Sequence, residues 1–472
     1  MKGRMQSMRS QIGGTTIFGM HLVREREFYR QVRQIMVPVA LQQAINIGVN
    51  MMDTMMLGSF GEAQLSASSL ANSFYNMFTI LCMGIIGGCS VLAAQYWGAQ
   101  NKEKARETFN LAIRLAVFLS LIFAAVTALF PEPIMRLYSN EQDVIDYGVK
   151  YLRITTYVYL FHGTAQVTAF LMRSVEQPQL GLRVSIISFF VNIFANWVFI
   201  FGMLGAPRME IAGAALGTLI ARMVECAVTF TYVLCIDKSL GLRVRDLLRN
   251  PTRELYYNYF RLGFAALISD GFLGLGTNVM NMILGRMGSA VVAANAICQV
   301  VDRLFTVVVQ GVSNAASIIT GNTVGMGDKE KAIKQGQTFY LMSVAFGFVS
   351  AVLVLVLGTL TISAYNLDPT TIVIAREMMM AYTVIAFFQS IQSVMTKGVL
   401  RGGGDTRFLM VADVLFLWIV SLPLGYVVGL VLGAPGWLSV LCLRIDWVIK
   451  SIWCVRRLNS GKWIRETRKL EH

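Results

Sequence analysis

The chain has 472 residues, 55% of them hydrophobic and only 14% charged, with a mean hydropathy of +0.57. Soluble domains carry about 25% charged residues, so the composition excludes an ordinary water-soluble globule. The formal net charge of +14 would suit nucleic acid, but its placement along the chain points to a membrane.

Residues 1–31 are polar and basic, without the apolar core or cleavage site of a secretory signal, and are expected to form a cytoplasmic N-terminal segment. Apolar runs then predict twelve spanning helices, each near the roughly 20 residues that a bilayer requires. They fall near 32–58, 67–95, 108–130, 148–173, 180–202, 211–236, 258–284, 293–322, 337–364, 376–400, 407–431 and 434–456. Lys and Arg concentrate before span 1, in alternate loops and in the tail, whereas the opposite loops carry only Arg136, Arg208, Arg286 and Arg376. That asymmetry places both termini in the cytoplasm of a cell (plasma or inner) membrane. It also predicts contact with anionic lipid on the cytoplasmic side and no nucleic-acid partner. The seven cysteines all lie in apolar runs without C-x-x-C spacing and read as small hydrophobes; no metal site is expected from them.

The chain repeats itself. Residues 58–105 lie over 285–332 without a gap, with 13 of 48 positions identical, including Gly84/Gly311, Gly98/Gly325 and the whole "KEKA". A second match sets "LMRSVEQP" (171–178) over "VLRGGGDT" (399–406). Two copies of a six-helix unit follow: an N-lobe over 32–236, a linker over 237–257, a C-lobe over 258–456 and a tail over 457–472. Six is even, so both copies enter the membrane in the same direction, related by a pseudo-twofold axis. Such duplication suits alternating access.

Span 1 carries the most informative side chain. Asp53 stands in "NIGVNMMDTMML", with Asn46 and Asn50 on the same helical face and Gln42 and Gln43 a turn earlier. A charge at mid-bilayer costs about 2.5–3.5 kcal/mol on insertion scales, so Asp53 is expected to face a polar interior and bind a proton or Na+. The other reading places it near the extracellular end, simply solvated or capping a neighbour. Pro38 permits a bend in the same span. Span 5 holds Asn192 and Asn196 one turn apart, which serve either a site or interhelical hydrogen bonding. Span 7 carries Asp270, Asn278 and Asn281. The polar residues of spans 1 and 7 are candidates to line a substrate cavity.

Other membrane-depth charges come in close pairs. Arg222 and Glu225 can meet at i, i+3, whereas Asp302 with Arg303 and Arg444 with Asp446 cannot meet directly and need partners on other helices. "NMMDTMML" and "REMMMAY" are either filler or an adaptable apolar lining. No G-x-x-x-x-G-K-[ST], H-E-x-x-H or G-x-S-x-G occurs; the chain is not expected to be an enzyme or to hold a cofactor. "RGGGDT" reads as a tight loop.

These motifs, "MVPVALQQAINIGVNMMDTMMLGSFG", "AAQYWGAQNKEKA", "VNIFANWVFIFG" with "IAGAALGTLIAR", and "GVLRGGGDT", resemble the multidrug and toxic compound extrusion (MATE) family from about residue 30 to 455. The resemblance implies an all-α, V-shaped pair of six-helix bundles exporting cationic or amphiphilic compounds against H+ or Na+. It makes Asp53 the coupling carboxylate, with Asn192, Asn196 and Thr218 around it. Asn196 stands where one branch often has aspartate, and Leu273 and Ser390 stand where another has C-lobe carboxylates. A secondary antiporter for small molecules, acting as a monomer, is therefore expected. The alternatives are a flippase for lipid-linked oligosaccharides and an uncoupled channel or receptor.

Overall fold

The computed structural model describes residues 16–17, 20–58, 62–364 and 369–465. Parts of the expected segments 1–31 and 457–472, and Gly61 after span 1, lie outside the described residues. Hydrocarbon offers a backbone no water, so helix is the local solution to hydrogen bonding. The helices are α1 (Arg26–Gly58), α2 (Glu62–Gly98), α3 (Lys102–Leu129), α4 (Gln142–Ser174), α5 (Gln179–Phe201) and α6 (Ile211–Thr231, running on to Ile236). There follow α7 (Arg253–Arg286), α8 (Ser289–Gly325), α9 (Lys329–Ala364), α10 (Pro369–Ser393, running on to Leu400) and α11 (Thr406–Val414, running on to Val431). The last, α12, is broken at Arg444 into Gly436–Leu443 and Ile445–Asn459. A two-residue strand pair, Thr16–Ile17 with Met20–His21, precedes them.

Among the described residues, ten helices are long and apolar enough to cross a membrane. The other two expected spans, α4 and α12, are helical too; Lys150 and Arg153 dilute the first, and Arg444, Asp446 and Lys450 the second. The repeat is visible helix by helix. α2 and α8 begin and end 227 residues apart, and α1/α7, α3/α9, α4/α10 and α5/α11 start at the same spacing. α1 runs unbroken through Pro38.

Packing groups the residues differently from the repeat. One compact unit is Val37–Asn278 with Thr406–Val414; the other takes the described residues up to Met36, those of Val279–Asp405 and those from Leu415 onward. Most of α7 thus belongs with the first unit, not with residues 258–456 as a block. The reason is visible at Gly88, where an added Cβ would stand 2.3 Å from the Gly263 Cα. Two glycines let α2 and α7 meet backbone to backbone, as membrane helices often do. The first unit's core runs through Leu92, Phe109, Leu171 and Leu262. The second buries Phe339 against Phe28, with ring centroids 5.2 Å apart. "REMMMAY" divides: Met378 and Met379 are core, whereas Met380 is exposed.

"RGGGDT" is more than a turn. A Cβ on Gly402 would meet the Ser317 carbonyl at 2.4 Å, and one on Gly403 the buried Trp463 ring at 2.2 Å. Asp405, fully buried, takes Arg457 Nε at 2.7 Å and Arg465 Nη2 at 2.9 Å. The loop therefore clasps the segment that follows α12. The first half has a counterpart. Gln177 donates to Asp237 at 2.8 Å and to Ser239, and accepts from Tyr232 at 3.0 Å, so the loop before α5 clasps the segment that follows α6. At the 228-residue offset, Asp405 lies over Gln177 and Arg465 over Asp237: the acceptor has changed sides.

Burial pushes the Asp237 carboxyl up, but bonds from the Ser239 hydroxyl, the Gln177 amide and the Ser239 and Leu240 amides outweigh it and hold the carboxyl below its usual range. A depressed carboxyl stabilises the fold above its unfolded value, about 3.9, and that contribution is lost as pH falls through the lower folded value. Asp237→Asn is therefore expected to lower the melting temperature of the purified protein at pH 7, with the gap to wild type narrowing as the pH falls from about 5 to about 3. A gap that stays constant over that range would show that Asp237 acts by shape alone.

Candidate functional site

Three helices of the first unit converge on Asp53. Asn196 Nδ2, from α5, donates to Asp53 Oδ1 at 2.6 Å and lies 3.3 Å from Asn192 Oδ1 a turn away. The carboxylate is half-buried, while Asn192 and Asn196 are 2% and 0% exposed. Amides pointed at a carboxylate offset part of the cost of keeping it out of water. The third helix contributes a space. Gly217 of α6 faces Asn196, where a Cβ would sit 2.1 Å from Oδ1. Thr218, the next residue, is half-buried. Tyr151 of α4, nearly buried, lies within electrostatic reach of Asp53 and bonds Asn72 at 3.4 Å.

A second charged group adjoins the first. Arg222 Nη1 donates to Glu225 Oε2 at 2.6 Å, as the i, i+3 spacing predicted. The same oxygen stands 3.9 Å from His162 Nδ1 on α4, and the Tyr75 ring of α2 lies 5.5 Å from the imidazole. Arg222 also acts electrostatically on Asp53. Sequence spacing gave Arg222–Glu225 but had no means of adding His162 or Tyr75, which come from other helices.

The remaining predicted residues are spread along α1 and α7. Gln42 accepts from Arg173 Nη2 at 2.5 Å, and Gly181 leaves room for its amide. Asn46 donates to Gln43 at 3.5 Å; Asn46 and Asn50 are exposed. Asp270 is half-buried beside Ser269, whose hydroxyl donates to Asp413. Asn278 and Asn281 are exposed. The structure thus joins Asp53, Asn196 and Asn192, and separately Gln43 and Asn46.

The second unit keeps its own polar groups. Asp302 accepts from Gln389 at 3.5 Å, and Gln389 also donates to Thr306 at 3.3 Å. The expectation for Asp446 needs correction: its main partner is on its own helix, Lys450 at 2.9 Å one turn on, with both side chains buried. Ser421 of α11 adds a bond to the Asp446 amide at 2.9 Å. A cavity of about 300 Å³ in this unit is lined by Val279, Ile283, Arg286, Pro423 and Tyr426, all apolar but for the arginine and the tyrosine hydroxyl.

The pattern of the MatE family matches residues 38–198 and 271–427, one block in each half and together more than half of the chain. The chain belongs to the MatE family. It is similar to a probable multidrug resistance protein NorM of Thermotoga maritima, 25% identical over 454 residues, which cover 95% of this chain and 96% of that protein. It is also similar to the multidrug resistance protein NorM of Photobacterium profundum, 23% identical over 89% of this chain and 95% of the relative. Among solved structures, an outward-facing multidrug resistance MATE family transporter superposes with a TM-score of 0.82 at 15% identity, covering 93% of this chain and 99% of that one. A Pyrococcus furiosus transporter of the MOP superfamily gives 0.81 at 15% identity, over 92% and 97%. At that identity the likeness concerns the fold. In MatE terms, Asp53 and Asn196 both lie in the N-terminal matched block, whereas Gly217, Arg222 and Glu225 lie between the two blocks.

The Asp53 environment yields a test that leaves its polar residues intact. Gly217→Ala is expected to displace Asn196 and unpair Asp53, losing a charge-assisted bond worth about 1.5–3 kcal/mol. Transport should then fall roughly tenfold or more while the protein remains folded by circular dichroism. Unchanged transport would mean that the Asn196 contact is dispensable.

Proposed function

We propose that the chain is a secondary active antiporter, working by alternating access, that exports small cationic or amphiphilic compounds in exchange for H+. Asp53 is its coupling carboxylate, and Asn196, Asn192 and Thr218 set the surroundings of that group. The proposal includes a plasma or inner membrane location with both termini in the cytoplasm and anionic lipid on that side. Membership of the MatE family and the names of the NorM relatives support export of drug-like molecules.

The observation that carries the reading is the Asn196–Asp53 bond, 2.6 Å long, at membrane depth. It leaves Asp53 with a donor on one oxygen and the positive charge of Arg222 within reach. Sodium needs several converging oxygens, and the positive charge of Arg222 repels it. A proton needs only the carboxylate. H+ is therefore favoured over Na+.

The decisive experiment follows efflux of a fluorescent cation such as ethidium from proteoliposomes under separate pH and Na+ gradients. Asp53→Asn, which keeps shape but holds no proton, is expected to cut pH-driven flux by about a hundredfold or more and leave the thermal transition near that of wild type. Transport at the wild-type rate by Asp53→Asn would overturn the assignment. Flux driven by Na+ alone would overturn the choice of ion. If neither gradient moved any cation, lipid-linked substrates would become the better reading.

A further inference from the structure

His162 is an unusual group for its position. It is one of three histidines in the chain and 7% exposed. Its Nδ1 is buried without a hydrogen-bond partner, although Glu225 Oε2 lies only 3.9 Å away. A neutral imidazole with its proton on Nε2 accounts for this, since Nδ1 then turns a lone pair toward the carboxylate. Glu225 is occupied at 2.6 Å by Arg222. Arg222 in turn reaches Asp53 electrostatically, so the three ionisable side chains around it are linked through one guanidinium.

We propose that His162 is a second proton-binding site of the N-terminal half, and that its protonation moves Arg222 from Glu225 to Asp53. A proton arriving at Nδ1 turns that atom into a donor aimed at Glu225 Oε2. The imidazolium then supplies the positive charge that Arg222 had supplied. Relieved of that pairing, Arg222 is free to turn along α6 toward the protonated Asp53, whose proton leaves as the guanidinium approaches. One proton is gained at His162 and one released at Asp53, so charge balances.

The groups facing His162 fit this exchange. α2 presents Tyr75, whose ring stacks against the imidazole at 5.5 Å. α6 presents Arg222, Glu225 and Cys226, the last 3.7 Å from Thr164. Of these neighbours, only Glu225 carries a negative charge near neutral pH, and it is the group to which the protonated ring would turn.

The inference rests on Asp53 being the coupling site, but its test does not depend on transport. The full-length protein is labelled with 15N-histidine in lipid nanodiscs, and His162 is assigned by the signal missing from His162→Gln. Imidazolium signal from His162 is expected to grow in as the pH is lowered from 8 to 5. At pH 6 the imidazolium fraction should be several-fold smaller in Glu225→Gln than in wild type, and smaller also in Asp53→Asn, where the displaced guanidinium has no anion to turn to. A His162 that stays neutral down to pH 5 in the folded wild-type protein overturns the proposal, and so does a titration unaltered by Glu225→Gln. Should Asp53→Asn transport normally while His162 titrates as expected, the Asp53 reading falls and the second site stands.

Discussion

One hydrogen bond organises the chemistry of this transporter: Asn196 donating to Asp53 across α5 and α1. A carboxylate in the low-dielectric interior must be paired, protonated or solvated. An amide is the mildest of the partners that could be offered, because it stabilises the anion without supplying a full opposite charge. A guanidinium in the same place would hold Asp53 permanently ionised; an apolar neighbour would hold it permanently neutral. The surrounding structure serves that intermediate setting. Gly217 makes room for the amide, Asn192 steadies it from a turn away, and Arg222 is kept occupied by Glu225.

The rest of the membrane-embedded polar inventory follows the same economy. Asp446 and Lys450 neutralise one another within a single helical turn, and Ser421 completes the bonding. Asp413 takes the Ser269 hydroxyl, and Gln42 takes Arg173. Asp446 and Lys450 are matched in charge, which suits a structural role. At His162 the unbonded atom is a ring nitrogen that stands 3.9 Å from a carboxylate oxygen.

How much of this could be read in advance depended on whether the information was local. Spanning helices are written in contiguous apolar runs, and even the two diluted spans, α4 and α12, were legible in them. Asp53 stood out because a charge in an apolar run is costly, and Asn192–Asn196 because one turn separates them. The contacts that assemble the site were not local. Nothing in spacing links His162 to Glu225 or Gln42 to Arg173, since each pair joins different helices. The alliance of α7 with the first unit depended on two glycines, Gly88 and Gly263, that carry no signal until their helices are brought together. Asp446 misled for a different reason: its neighbour Arg444 drew notice, while its true partner lay one turn further on.

The paired clasps have a consequence for how a duplicated chain assembles. Both copies of the ancestral unit end in a segment that must dock on its own loop, and two nearly identical docking problems within one polypeptide invite mistaken pairing. Here the signs have diverged. Asp237 strayed onto the second loop would confront Asp405, carboxylate against carboxylate. Arg465 offered to the first loop would find a neutral Gln177 in place of the anion it requires. Each half therefore recognises its own trailing segment and refuses the other's, so the duplication carries within it the means to keep its copies from exchanging parts.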